Sequence, residues 1–225
     1  GDLIEIQRAG DVIPQITKVI DKPSTRGSKI VAPIICPVCG SKTIKEKEEA
    51  VLRCENIMGC EAQIIGRLKH FVSKKSLNIE GLGEKQIQQF YDLGLIKNFE
   101  DIFYIEKHKN LILKLDGWGS LSFQNLIDSI NKSKNINLDK FIYSLSIRYV
   151  GETLSNVLAR EIIEIHSFIN FSNEKERLLN IDGLGPKAIN SVYRYIQNPK
   201  NKKKIVTLSN ILKINNYKIP KSNSL

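Results

Sequence analysis

The sequence predicts a mainly α-helical protein whose helices form four tandem repeats, preceded by short β-strands and a segment containing four cysteines. Three observations support this fold class. Glycine-containing segments recur at similar intervals after residue 77, apolar residues at helical spacing flank each of them, and residues 1–20 instead alternate apolar and polar side chains. With 225 residues, 41% hydrophobic and 26% charged, the chain has the composition of a globular protein.

No apolar run approaches the length needed to cross a bilayer, and the longest is IVAPII at 30–35. No basic-then-apolar leader opens the chain. We therefore expect a cytoplasmic protein that does not bind membranes. Because the sequence starts at Gly1, without methionine, and runs directly into strand-like alternation, we also expect it to be cut from a longer protein.

The pattern of residue types divides the chain into four parts. Two strand-like runs flank Gly10-Asp11, and DKPSTRGSK at 21–29 has the composition of a linker. After the cysteines, the segment AQIIGRLKHFV places its apolar residues on one helical face. The expected parts are strands at 1–30, a cysteine segment at 31–62, a helical repeat domain at 63–198 and a basic tail at 199–225.

The repeat consists of hairpin 1, NIEGLG (78–83), hairpin 2, KLDGWG (114–119), hairpin 3, SIRYVG (146–151), and hairpin 4, NIDGLG (180–185). Their final glycines are 36, 32 and 34 residues apart, a period that suits one helix-turn-helix unit per repeat. Each segment lies between two predicted helices, so the sequence predicts four helix-hairpin-helix motifs. Hairpin 3 has Tyr149 where the others have glycine, and we expect its backbone to differ there or to approach a partner less closely.

The glycines of each hairpin permit positive φ and close approach, and the helix that follows offers unpaired N–H groups and a positive dipole end. Such a site binds phosphate and reads no base sequence. A purely structural helical array is the alternative, since Gly-x-Gly also forms ordinary tight turns. The residues predicted to contact nucleic acid are the hairpin glycines and three adjacent basic residues: Gly81, Gly83, Lys85, Gly117, Gly119, Arg148, Gly151, Gly183, Gly185 and Lys187.

The net charge of +10 is concentrated near the C-terminal end of the sequence. Nine Lys and Arg and no acidic residue lie from Gly183 onwards, whereas residues 1–182 carry 25 basic and 24 acidic residues. Binding by the hairpins must therefore depend on placed groups rather than on bulk charge. The basic tail is either a solvated, partly disordered segment or a non-specific nucleic-acid site centred on Lys200–Lys204.

The four cysteines, Cys36, Cys39, Cys54 and Cys60, are separated by two, fourteen and five residues. Two pairs of thiolates on short turns match a tetrahedral zinc site, and TIKEKEEAVLR between them can form the small hairpin of a zinc ribbon. Two disulfides or a redox-active Cys-x-x-Cys are the alternatives, which a cytoplasmic setting disfavours. A closed four-cysteine site is structural and leaves no position open for catalysis.

The order of these segments resembles the C-terminal half of one family, the bacterial NAD-dependent DNA ligases. RAGDVIPQ at 8–15 resembles the end of that enzyme's OB domain. CPVCGS with RCENIMGCEAQ resembles its four-cysteine zinc finger, and HFVSKKSLNIEGLGEKQI resembles the entry to its helix-hairpin-helix domain. The resemblance covers residues 1–215, and it implies that the strands at 1–30 are the end of an OB fold.

The resemblance implies the DNA-binding half of an enzyme that seals nicks in duplex DNA during replication and repair. In that family a lysine is adenylated by NAD, AMP passes to the 5′-phosphate, and the 3′-hydroxyl attacks to release AMP. The nucleotide pocket precedes the OB domain, so this chain is expected to hold zinc, to carry no catalytic residue and to be inactive alone. NAD and magnesium belong to the whole enzyme.

The partner implied is nicked double-stranded DNA, bound without sequence preference by a monomer. A non-enzymatic DNA-binding or repair scaffold with the same motifs is the alternative.

One string invites a catalytic interpretation. Lys114-Leu115-Asp116-Gly117 matches Lys-x-Asp-Gly, in which DNA ligases and capping enzymes carry the lysine that forms a nucleotide adduct. The repeat explains both Gly117 and Gly119, whereas the adduct motif explains only Gly117. A nucleophilic lysine also needs a β-sheet pocket and carboxylates for magnesium, but Lys114 lies between predicted helices. We therefore predict that Lys114 is not a nucleophile.

Overall fold

Residues 1–10, 13–24, 27–46 and 49–218 are described by a computed structural model of the protein. The chain divides into two units, Gly1–Asn56 and Ile57–Leu225. The described part of the first unit has only short β-strands as regular structure, and the second unit is mostly helical. The predicted mainly α fold class is therefore confirmed.

The first unit starts with an antiparallel hairpin of β1 (Leu3–Ala9) and β2 (Ile13–Asp21), in which Ala9 lies opposite Ile13. This agrees with the predicted strands, although Asp11 and Val12 of the RAGDVIPQ segment lie outside the described residues. Every residue of β2 is exposed. The assignment of these strands to an OB fold stays a prediction.

A second, smaller hairpin lies between the cysteines. β3 (Thr43–Ile44) pairs antiparallel with β4 (Arg53–Cys54), and Thr43 lies opposite Cys54. An isolated bridge between Ile35 and Lys42 extends the pairing towards the first cysteine. The small hairpin predicted from TIKEKEEAVLR therefore forms, with Lys47 and Glu48 outside the described residues.

In the second unit each predicted hairpin connects two helices. The helices before the hairpins are α1 (Glu61–Val72), α3 (Lys109–Ile112), α5 (Leu138–Ser144) and α8 (Lys175–Leu178). The helices after them are α2 (Glu84–Asp92), α4 (Ser120–Ser133), α6 (Glu152–Ile162) and α9 (Pro186–Gln197). The connecting elements are two 3-10 helices, Glu100–His108 and Phe171–Asn173, α7 (Ile165–Ile169) and β5 (Asn135–Asn137).

The hairpins are attached to one continuous apolar core. In hairpin 1, Ile79 and Leu82 on either side of the glycine are buried, and in hairpin 3 Ile147 and Val150 are buried in the same way. Hairpins 2 and 4 place their corresponding apolar side chains in or against the same core. Burial of each such side chain contributes about 1.5–3 kcal/mol, so the hairpin backbones are fixed by hydrophobic packing.

The structure contradicts the predicted boundary at residue 198. Residues assigned to the basic tail form α10 (Pro199–Ile211) and β6 (Lys213–Asn215), which pairs parallel with β5. Ile205 and Leu208 are fully buried, and the backbone N–H of Tyr217 donates to the Ile163 carbonyl at 2.8 Å. The many lysines in this segment make the helical spacing of its few apolar residues difficult to recognise in the sequence. Residues from 219 onwards lie outside the described residues.

Among the helices of the described segments, none combines the length and the apolar character required to span a bilayer.

Two exposed glycines isolate the effect of backbone conformation. An added Cβ at Gly66, inside α1, or at Gly117, at φ +78°, would meet no atom within 4 Å. Gly66→Ala should stabilise the protein by about 0.5–1 kcal/mol, because glycine disfavours a helix interior. Gly117→Ala should destabilise it by about 1–2 kcal/mol, because alanine disfavours the left-handed region. Denaturant unfolding measures both, and changes of the same sign would contradict the hairpin geometry.

Candidate metal centre and nucleic-acid interface

The structure brings the four predicted cysteines together. Cys36 and Cys39 lie on one turn, Cys54 ends β4, and Cys60 precedes α1 as its N-cap residue. Their four Sγ atoms lie within 4.8 Å of one another, and all four are free thiols. The turn is tight because the Gly40 N–H donates to the Cys36 carbonyl at 2.9 Å, with Gly40 at φ +69°.

This geometry fits zinc. Tetrahedral coordination with Zn–S distances of about 2.3 Å places sulfurs about 3.8 Å apart. The sulfurs of Cys39 and Cys54 lie 3.5 Å apart, which is far too long for a disulfide bond. The prediction of zinc is therefore confirmed.

The thiols differ in acidity before metal binds. Hydrogen bonds from Ser41 lower the pKa of Cys39 to about 6. Burial raises the pKa of Cys54 to about 11, so this thiol is protonated near neutral pH in the absence of a metal. Zinc binds thiolates, so its binding must displace the Cys54 proton. The site is therefore expected to weaken as the pH falls, because protons compete with the metal.

The four hairpins share one backbone conformation at their third-to-last residue. Gly81, Gly117 and Gly183 have φ between +78° and +86°, and Tyr149 has φ +64°. The expectation that the backbone of hairpin 3 differs at Tyr149 is therefore wrong. The tyrosine adopts the left-handed conformation that glycine adopts elsewhere, and the Arg148 guanidinium lies 4.8 Å from the centre of its ring. Tertiary packing around Ile147 and Val150 imposes the turn at the cost of local strain.

The first residue of each hairpin separates the copies into two kinds. Asn78 of hairpin 1 and Ser146 of hairpin 3 also have positive φ, +52° and +54°. The corresponding Lys114 and Asn180 do not have positive φ. Hairpins 1 and 3 therefore resemble each other, as do hairpins 2 and 4.

The glycine that ends each hairpin is the N-cap residue of the next helix. Gly83, Gly119, Gly151 and Gly185 all have extended backbone, and having no side chain they provide no side-chain cap for the first helical turn. Each helix start carries the positive end of its dipole, and the first N–H groups of α2, α4 and α6 have no acceptor in a preceding helical turn. α9 offers fewer donors, because Pro186 has no N–H and the Ala188 N–H donates to the Gly185 carbonyl at 3.0 Å. All four glycines are exposed. The arrangement suits an anion such as phosphate.

Contacts within the protein make the four helix starts unequal. The Glu80 N–H of hairpin 1 donates to the Ser129 hydroxyl of α4 at 2.7 Å, and Gly81 packs beside Leu126. α2 and α6 begin with the carboxylates of Glu84 and Glu152, which oppose an anionic ligand at those helix starts. α4 and α9 have no acidic residue in their first turn. The starts of α4 and α9 therefore present no opposing carboxylate to an anion, and α4 offers more N–H groups than α9, which begins with Pro186.

The structure also shows where the predicted basic contacts lie. Lys85 and Lys187 are exposed, in the first turns of α2 and α9, whereas Arg148 is half-buried. Sequence reasoning missed Ser122, whose hydroxyl accepts the Gly119 N–H at 2.9 Å. It also missed the ion pair between Lys75 and Glu152 at 2.7 Å, which connects the segment before hairpin 1 to the start of α6. A serine three residues after a helix N-cap is the sequence signal that could have identified Ser122.

Comparison with known proteins identifies two matching family models. Residues 36–62 match the NAD-dependent DNA ligase C4 zinc finger domain, and residues 140–205 match the helix-hairpin-helix motif. The second match covers hairpins 3 and 4, which adds independent support for the motif assignment.

Curated relatives match along nearly the whole chain. A DNA ligase of Rickettsia canadensis (strain McKiel) is 41% identical over 236 residues, covering 99% of this chain and 34% of the relative. A DNA ligase of Wolbachia pipientis wMel is 40% identical over 232 residues, covering 100% and 35%. A DNA ligase of Pelagibacter ubique (strain HTCC1062) is 40% identical over 235 residues, covering 100% and 34%. The chain spans about a third of the length of these relatives.

The fold and the site define a zinc-finger and helix-hairpin-helix protein. The resemblance to the NAD-dependent DNA ligases predicted from the sequence is confirmed by the zinc-finger match and by these relatives.

The first prediction for the site concerns the metal. The protein should contain one zinc ion per molecule, and Cys54→Ser should release it and loosen residues 36–60, because zinc contributes about 10 kcal/mol to folding in such modules. Metal analysis of reduced protein measures the zinc content. Val38→Ser, at an exposed position between the first two cysteines, serves as the control that should retain zinc. Stoichiometric zinc in Cys54→Ser, or none in the parent, would contradict the site.

The second prediction concerns Lys114. This lysine is exposed and lies between α3 and α4, and the hairpin geometry accounts for Gly117 at φ +78°. Incubation with labelled NAD or ATP should therefore give no covalent nucleotide adduct, as judged by denaturing gel or mass spectrometry. Recovery of an adduct that Lys114→Ala abolishes would show that the Lys-x-Asp-Gly string is functional here.

Proposed function

We propose that the chain is the DNA-holding part of an NAD-dependent DNA ligase and that its target is nicked duplex DNA. The relatives are named DNA ligases, and the zinc-finger family is named for the NAD-dependent enzymes. The observation that carries the proposal is the repetition of one backbone geometry suited to binding phosphate. Four helix starts, each preceded by a left-handed residue and an exposed glycine, are fixed on a common core.

Binding by these helix starts would read the sugar-phosphate backbone and not the bases. Each unpaired N–H donates to a phosphate oxygen, and the absent Cβ of the N-cap glycine lets the phosphate approach. No side chain is aimed at a base edge in this scheme, so affinity should be similar on unrelated sequences. A nick-sealing enzyme needs this property, because nicks occur in any sequence.

The chain would act by positioning rather than by reacting. Holding both strands beside a nick keeps the 5′-phosphate and the 3′-hydroxyl in reacting geometry, which converts their encounter into an effectively unimolecular step. The zinc site fixes the cysteine turns and supplies no open coordination position, so its role is structural. We propose no catalytic residue for this chain, and we expect it to be inactive in ligation alone.

The rest of the proposed reaction belongs to other parts of a whole ligase. NAD and magnesium would be used in the domain that carries the adenylated lysine. In the NAD-dependent DNA ligases this domain precedes the OB domain. We further propose that the protein acts as a monomer in the cytoplasm, on DNA during replication and repair. A non-enzymatic repair scaffold is the competing function, and the names of the relatives favour the ligase.

A matched pair of substitutions tests the proposed interface. Gly185 and Gly151 are both exposed N-cap glycines at which an added Cβ would meet no atom within 4 Å. They differ in the residue that starts the helix, which is Pro186 in α9 and Glu152 in α6. Gly185→Val should weaken duplex binding by about 1–3 kcal/mol, the scale of a lost charged hydrogen bond, and Gly151→Val should weaken it less.

Binding should be measured by fluorescence anisotropy at moderate salt on nicked duplexes of two unrelated sequences. Gly66→Val, in the middle of α1, is the control for adding the same side chain to an exposed surface. Circular dichroism checks that each variant is folded. Wild-type affinity in Gly185→Val would mean that the hairpins are scaffolding, and unequal effects on the two sequences would contradict backbone recognition.

A further inference from the structure

The start of α10 carries a dense group of cations outside the hairpins. Its first residues read PKNKKK, in which Lys200, Lys202 and Lys203 are exposed and Lys204 is half-buried. No acidic residue lies in its first turn, and residues 186–211, which include all of α9 and α10, contain neither Asp nor Glu. We call the three exposed lysines, Lys200, Lys202 and Lys203, the α10 lysine patch.

Helix formation does not explain these lysines. The N-terminal end of a helix carries the positive end of the dipole, so cations there destabilise the helix. The side chain of Asn198 already accepts hydrogen bonds from the Lys200 and Asn201 N–H groups, at 3.0 and 3.3 Å. The helix is thus capped without the lysines, and a ligand at this end must contact side chains rather than backbone amides.

Two further cations lie beside the patch. Lys204 extends over the Phe99 ring, with its Nζ 4.9 Å from the ring centre. Burial lowers the pKa of Lys204, and the nearby Arg67 guanidinium of α1 lowers it further, while Glu100 opposes the shift. In the described structure, no hydrogen bond or ion pair is formed by the Arg67 or Lys204 side chains. Glu100 thus offsets the charge of Lys204 in part, without an ion pair, and no such carboxylate lies in the first turn of α10.

We propose that the α10 lysine patch is a second contact for DNA, made to backbone phosphates at the end of α9 opposite hairpin 4. This inference rests on the proposed function, since it names a further surface for the same partner. α9 has 12 residues and therefore extends about 18 Å. The length of α9 separates hairpin 4 from the patch, so the two would contact different phosphates.

The chemistry of the patch favours a polyanion over a folded protein. Lysine ammonium groups are flexible point charges, which bind phosphates without requiring a fixed geometry. Protein interfaces depend instead on buried aromatic or apolar residues at their centre. The patch has no aromatic residue, and the large apolar side chain exposed on α10 is Val206, 40% exposed. A surface of lysines without an apolar centre matches nucleic acid, whose binding is dominated by phosphate contacts.

Deleting α10 would not test this proposal, because Ile205 and Leu208 are in the core and the variant would unfold. Replacing Lys200, Lys202 and Lys203 together by glutamine removes only charge, since glutamine has a similar helix propensity. The control is the triple replacement of Lys107, Lys132 and Lys140 by glutamine. These lysines are also exposed but lie outside α10 and the hairpins. Both variants have the same net charge.

Affinity for a labelled nicked duplex should be measured between 50 and 200 mM salt. At about 0.1 M salt the patch variant should bind about tenfold more weakly than the control, equally on two unrelated sequences. Its plot of log affinity against log salt should be less steep by about 2–3 units, since each lost phosphate contact removes about 0.9. The melting temperature of the patch variant should not fall, because the removed charges oppose the helix dipole.

Equal affinity and equal salt dependence of the two variants would overturn the proposal. If the patch variant lost binding to poly-glutamate but bound DNA as the control does, the proposal would also be overturned. The patch would then be assigned to an acidic protein. A parent chain that does not bind duplex DNA would instead contradict the proposed function itself. The two failures are therefore distinguishable.

Discussion

The left-handed residue in each hairpin is the constraint on which the second unit depends. It turns the chain between two apolar residues, so that both reach the core within a segment of six residues. Burial of both residues fixes the position of the exposed N-cap glycine that follows them. The candidate anion sites thus depend on hydrophobic packing. A glycine provides this conformation at no steric cost, and Tyr149 shows that packing can impose it on a larger residue.

The first unit is stabilised in a different way. Among its described residues, Cys36 is the buried hydrophobic one, and every residue of β2 is exposed. A segment of this size without an apolar core needs another source of folding energy, which a structural metal can provide. Thiolates around one zinc ion constrain the turn at Cys36 and the end of β4 at once.

Much of this was accessible from the sequence, since glycine spacing predicts the hairpins and cysteine spacing predicts the zinc site. The conformation of Tyr149 was not accessible, because local propensity argues against positive φ and only tertiary packing overrides it. α10 was missed because four lysines in six residues resemble a solvated segment, while its buried Ile205 and Leu208 lie further along. Contacts between distant elements, such as that of Glu80 with Ser129, leave no local pattern at all.

The alternation between the two kinds of hairpin limits how such a domain can change in length. Hairpins 1 and 3 share an extra left-handed residue, and hairpin 1 is bonded to α4, the helix that follows hairpin 2. Hairpin 1 thus covers part of α4, where Gly81 packs beside Leu126. Removal of hairpin 1 alone would leave this part of α4 uncovered, as at the broken end of a repeat array. Viable insertions and deletions should therefore occur in steps of two hairpins, about 68 residues apart as Asn78 and Ser146 are.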